Sequence, residues 1–170
     1  PPKAGKSTFA RAAAAAVSKG EPFLGRDVTQ GSVFYMAVEE RPEVVQDSFR
    51  RLGVKNDTPL SVHFGRVDRK AVFELEKIIQ MNQPALLIVD TVGRVRPGKV
   101  DTTDYIAVGE WLEPFLYMAH ETDTCVCLLY HDRKDGSTAV GYEAVNAVLG
   151  STGVGAIVDQ LISIRRDRTD

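Results

Sequence analysis

The sequence predicts an α/β fold of three layers, with a mostly parallel central sheet between two layers of helices. Three observations predict it. Strand-like and helix-like segments alternate along the chain, the rhythm of βαβ units. The strand-like runs are apolar throughout rather than in alternation, as expected of strands covered on both faces. The first helix is rich in small residues, which let a helix lie close against a sheet.

Gly5 to Ser18 reads as a helix carrying Ala10 and Ala12 to Ala16, alanine being the best helix former. Lys19 to Gly31, with Gly20, Pro22 and Gly25, reads as a loop. Ser32 to Val38 (SVFYMAV) is an uncharged, β-rich run predicted as a buried strand. Pro42 suits the first turn of a helix that runs to about Leu52, with Gly53 as its stop. Leu60 to Phe64 is a weaker strand. Arg69 to Met81 is a helix with Val72, Leu75, Ile78 and Ile79 on one face. Ala85 to Asp90 (ALLIVD) is the clearest strand, apolar until it ends in an acid. Thr91 to Thr103 is a loop. Asp104 to Glu121 is a helix that takes Pro114 with a kink. Thr124 to Tyr130 (TCVCLLY) is a further buried strand, His131 to Tyr142 a polar loop, and Ala156 to Ile164 (AIVDQLISI) a last strand.

The chain has 170 residues, 44% hydrophobic and 26% charged, which suits one globular domain over 1–170 with a real core. A net charge of −2 argues against a strongly basic nucleic-acid binder, although a local basic loop can still hold phosphate. Two cysteines, Cys125 and Cys127, are too few for a disulfide scaffold. They fall on the same side of a strand without partners at zinc spacing, so core packing is expected of them. No apolar run approaches the ~18 residues of a membrane span, and no signal peptide is visible. A cytoplasmic chain is expected. Because it starts at Pro1 inside a motif, it reads as part of a longer protein.

That motif is Pro1-Pro2-Lys3-Ala4-Gly5-Lys6-Ser7-Thr8, which fills seven of the eight positions of the phosphate-binding pattern G-x-x-x-x-G-K-[ST]. Gly5 lets the backbone amides curl round an anion. Lys6 brings a positive charge to the β- and γ-phosphates of ATP, and Ser7 offers a hydroxyl to Mg²⁺. The following helix points its N-terminal dipole at the phosphates. The bland alternative is a helix start that happens to carry Gly-Lys-Ser. Downstream, Asp90 closes an apolar strand, where a carboxylate can hold Mg²⁺ or its water; otherwise it caps a turn. Glu39 and Glu40 close the strand SVFYMAV. Glu39 is read as the base that deprotonates the attacking water, and Glu40 as the residue that starts the next helix. Sequence separates the two poorly.

Together these segments resemble the RecA-like P-loop ATPases, and among them the RepA-like hexameric helicases of plasmids and phages. The resemblance rests on PPKAGKST, FYMAVEERP, ALLIVDTVGRVRP, LLYHDRKDG and NAVLGSTGVGAIVDQLISI, in that order over nearly the whole chain. It implies a RecA-like P-loop NTPase fold and the cofactors ATP and Mg²⁺. Lys6 and Ser7, with Lys3, Ala4, Gly5 and Thr8, would bind phosphate and metal; Glu39 would match the catalytic glutamate and Asp90 the metal-holding acid. His131 would match a sensor of the γ-phosphate. The loops 91–103 and 131–142, with Arg94, Arg96, Lys99, Arg133 and Lys134, would line the channel of a homo-oligomeric, hexameric ring and touch single-stranded DNA. The family's arginine finger would fall near Ile162; the nearest arginines are Arg165 and Arg166. Leu149 stands where the family often has an arginine. Without the resemblance His131 would read as an ordinary loop residue. His63 and His120 are assigned no role. Two other readings stay open: a RadA-like recombination or repair ATPase, and an ATP-gated regulatory module without DNA activity.

Overall fold

A computed structural model of the chain describes residues 5–65, 69–95, 100, 104–130 and 157–164. The elements are α1 (Lys6–Lys19), β1 (Val33–Ala37), α2 (Pro42–Arg51), β2 (Leu60–Phe64), α3 (Arg69–Asn82), β3 (Leu86–Asp90), α4 (Tyr105–Thr122) and β4 (Cys125–Leu129), with a short 3₁₀ turn at Val92–Arg94. The strands form one parallel sheet in the order β2-β1-β3-β4.

Each central strand feeds two cores, because successive side chains point to opposite faces. Tyr35 and Ala37 of β1 and Ile88 of β3 pack with Ala10 and Ala14 of α1 and with Val45 and Phe49 of α2. Met36, Leu87 and Val89 pack on the other face with Leu75 and Ile79 of α3 and with Val108, Trp111, Phe115 and Met118 of α4. The layers are therefore α/β/α, as the sequence predicts. Burial on both faces explains why every residue of β3 is buried.

Local chemistry sets the helix limits. Arg41 takes an extended conformation before α2 and Pro42 occupies its first turn, where a missing N–H costs nothing. Asp104 caps α4 by accepting from the amides of Ile106 and Ala107 at 2.9 and 3.3 Å. The helix then runs on through Pro114.

The orientation of α1 matters most for the site. Its last turn lies where β1 begins: the amide of Gly31 donates to the Val17 carbonyl at 3.1 Å, and Gln30 donates to Ser18 at 3.1 Å. Nearer its start, Arg11 reaches Asp90 at the end of β3. The helix thus runs antiparallel to the strands, and Gly5 to Thr8 lie toward their carboxyl ends. The segments leading into β1 and β3 meet closely at the opposite edge. A Cβ on Gly31 would come within 2.4 Å of the Ala85 Cβ, so only glycine fits there.

Three expectations need correction. Residues 157–164 form no strand. A strand needs a neighbour to take its backbone hydrogen bonds, and none of the described strands pairs with this segment; Leu161 and Ile162 are exposed. β4 is less buried than its apolar sequence suggests, because β3 is its only partner among the described strands. Its Cys125 is exposed, while Cys127 packs beside the α1 core.

Candidate nucleotide-binding edge of the sheet

Gly5 stands immediately before α1 with φ +93°, a left-handed conformation that side chains resist. It turns the chain into the helix. The first helical donor is Phe9, bonded to the Gly5 carbonyl at 2.9 Å. The amides of Lys6, Ser7 and Thr8 come before it and have no intrahelical acceptor. Three N–H groups and a helix dipole therefore converge at the place where the motif predicts phosphate. Lys6 and Ser7 are half-buried and Thr8 is exposed. Lys3 and Ala4 lie outside the described residues.

The acids lie at the ends of adjacent strands. Ala37 pairs with Asp90 in the register of β1 and β3, and the Val38 amide donates to the Asp90 carbonyl at 2.9 Å. Continued one step, that register sets Val38 beside Thr91, with Glu39 the next residue along. The Thr91 hydroxyl donates to Glu39 Oε1 at 3.1 Å, and Arg94 Nε donates to the same oxygen at 2.8 Å. The peptide bond between Asp90 and Thr91 is cis.

Glu40 turns elsewhere. Arg11 of α1 donates to its Oε1. Glu40 is therefore not the starting residue of α2, whose first turn is set by Arg41 and Pro42. The same guanidinium lies 4.0 Å from Asp90 Oδ2. The hydroxyl of Tyr35 donates to that oxygen at 2.6 Å, while the Tyr35 ring stacks edge-on against Phe49 at 5.4 Å. Asp90 is only 5% exposed and Arg11 6%, so this is a buried ionic network in which α1, β1 and β3 each supply a member.

Its electrostatics are one-sided. Burial works against the charge on Arg11, but Tyr35 and Glu40 outweigh it and raise the guanidinium pKa above its ordinary value. Burial, and then the charge of Asp90, push the Tyr35 phenol far above the usual range. The shift favours the protonated phenol, the form that donates to Asp90. Arg11 Nε is buried with no partner among the described residues.

Sequence reasoning brings Gly5, Lys6, Ser7, Glu39 and Asp90 to this one edge, and the structure places them there. It overlooked Arg11, Tyr35 and Thr91. The signal for Arg11 is helical spacing: with Ala14, Ala15 and Ser18 it forms one face, and all of these are buried. His131, Arg133, Lys134, Arg96, Lys99, Arg165, Arg166 and most of the two basic loops lie outside the described residues. An open pocket of about 370 Å³ adjoins the acids, lined by Ala37 to Pro42 with Phe64 and Gly65. Among the described residues no helix is long and apolar enough to cross a membrane.

A comparison with protein families finds one whose model, described as an AAA domain, matches residues 1–137. The match takes in the Pro1–Thr8 motif, the strand-end acids Glu39, Glu40 and Asp90, and every element from α1 to β4. No curated protein matches the chain.

Proposed function

The chain belongs to the AAA domain family of P-loop ATPases, and on that premise we propose that it is a Mg²⁺-dependent ATPase motor of the RepA-like helicase type, acting on single-stranded DNA. One observation carries the reading: the ends of β1 and β3 lie side by side with Glu39 and Asp90, at the edge toward which the glycine-led start of α1 points.

Lys6, Ser7 and the amides around them, with Lys3, Ala4, Gly5 and Thr8, take the phosphates. Ser7 and Asp90 are the metal ligands. The donor set fits a small hard cation: one hydroxyl and one carboxylate, leaving the remaining positions to phosphate and water. Among the described residues no donor reaches Asp90 Oδ1, so one oxygen is free for this task. Bound there, Mg²⁺ would neutralise charge on the β- and γ-phosphates.

Glu39 is the base. Its carboxylate takes a proton from the water that attacks the γ-phosphorus. The bond from that phosphorus to the bridging oxygen breaks, and ADP leaves. Thr91 and Arg94 hold the carboxylate in place. His131 senses the γ-phosphate. Arg165 and Arg166 are candidates for a finger that reaches a neighbouring subunit's nucleotide, a contribution of roughly 10³ to 10⁵ in rate. We assign the whole of residues 1–170 to one such domain, working in a hexameric ring whose loops 91–103 and 131–142 face DNA.

ATP hydrolysis measured with and without single-stranded DNA at low salt tests the reading. DNA should stimulate turnover, and the absence of stimulation would leave an ATPase without a DNA role. Forked-duplex unwinding set against strand exchange then separates a helicase from a recombinase.

A further inference from the structure

All three strand-end acids are already engaged by groups of this chain. Glu39 accepts from Arg94 and Thr91, Glu40 accepts from Arg11, and Asp90 accepts from Tyr35 with Arg11 at 4.0 Å. Among the described residues, no three acidic, imidazole or thiol side chains converge where a metal ion could sit. The acids share one sheet edge, yet they do not form a metal site by themselves.

Arg11 is the centre of that arrangement. It is the one charged residue on a helix face otherwise made of Ala10, Ala14, Ala15 and Ser18, and it is buried with them. Burying a guanidinium is costly unless carboxylates repay it. Here one guanidinium stands against two carboxylates, from β1 and from β3. It holds Glu40 to one side and covers the Oδ2 face of Asp90 together with the Tyr35 hydroxyl. A divalent cation that approached Asp90 alone would meet this positive charge at short range, in a setting where water screens it little.

We propose that Arg11 is a positioning residue that acts as a built-in counter-cation: it keeps Asp90 and Glu40 from capturing a divalent metal on their own, so that metal enters only with the nucleotide. The phosphates supply the negative charge and the oxygen ligands that the protein withholds. This rests on the reading of Asp90 as a metal-holding acid. The plainer alternative is that Arg11 only pins a smooth, alanine-faced helix to the sheet.

Mn²⁺ binding to the whole chain, followed by calorimetry, separates the two. The nucleotide-free protein should bind Mn²⁺ at least about tenfold more weakly than the protein loaded with a non-hydrolysable ATP analogue. Arg11→Met should raise the affinity of the nucleotide-free protein about tenfold, Arg11→Lys should leave it near the wild-type value, and adding Asp90→Asn to Arg11→Met should remove the gain. The proposal is overturned if Arg11→Met brings no gain, if Arg11→Lys gains equally, or if the free wild-type chain already binds Mn²⁺ as tightly as the nucleotide-loaded one. Should Arg11→Met fail to fold, Arg11→Gln, which removes the charge but keeps a hydrogen-bond donor, carries the same expected gain and is read in the same way. Asp90→Asn alone tells the two failures apart. If it keeps full metal affinity with nucleotide bound, the Asp90 reading itself falls; if it loses that affinity while Arg11→Met gains nothing, only the role of Arg11 falls.

Discussion

Glu39 and Glu40 are neighbours in the chain with different partners in space. One faces the loop after β3 through Thr91 and Arg94, the other faces α1 through Arg11. Their substitutions should therefore behave differently. Glu39→Gln should keep nucleotide affinity and lower hydrolysis by roughly 10² to 10⁴, read by filter binding and phosphate release; normal turnover would remove Glu39 from the role of base. Glu40→Gln leaves a buried guanidinium with one acid fewer. It should cost about 1–2 kcal/mol of stability, below the usual loss for a broken buried pair because Glu40 is partly exposed, read by urea unfolding. Lys6→Ala should abolish nucleotide binding or turnover. The sequence made Gly5, Lys6, Ser7, Glu39 and Asp90 legible because each belongs to a short pattern with a chemical reason. Arg11 and Tyr35 were not legible. They belong to no motif and acquire their roles only when α1, β1 and β3 come together.

Among the elements, strands and helices from α1 to β4 fall within a residue or two of where periodicity, Pro42 and the glycines put them. The failures came where neighbours decide the outcome. An apolar run such as 156–164 has strand composition, but residues 157–164 have no pairing partner among the described strands. β4 reads as buried but carries an exposed Cys125. Cys127, two residues on, has its thiol pushed up to about 11 by burial, then by Cys125 and Asp90. The sign follows from the neutral form being favoured in the folded state. The unfolded thiol ionises first, so this contribution is intact below about pH 9 and is lost as the pH rises through about 11. Cys127→Ala should flatten that part of the alkaline stability loss. Iodoacetamide at pH 8 should label Cys125 faster than the half-buried Cys127, and equal labelling would contradict the raised Cys127 thiol. At the other edge, Gly31→Ala should destabilise by about 1–3 kcal/mol through its collision with Ala85, with nucleotide affinity unchanged.

For the molecule as a whole, the central question is how an ATPase domain of net charge −2 would grip a polyanion. If the chain acts on DNA as proposed, local basic loops rather than overall charge would make the contact, and DNA stimulation should then fall steeply with added salt. Stimulation that ignores salt would point away from phosphate contacts. The fold also gives the molecule two unlike ends. Its strand-end acids and the start of α1 share the carboxyl edge, while the turn between α2 and β2, with exposed Asn56 and Asp57, sits at the amino edge. About 16 Å of strand separates them. A fluorophore or surface tether attached at Asn56 would leave the candidate nucleotide edge facing solution, so this turn is the natural handle for watching single molecules of the protein.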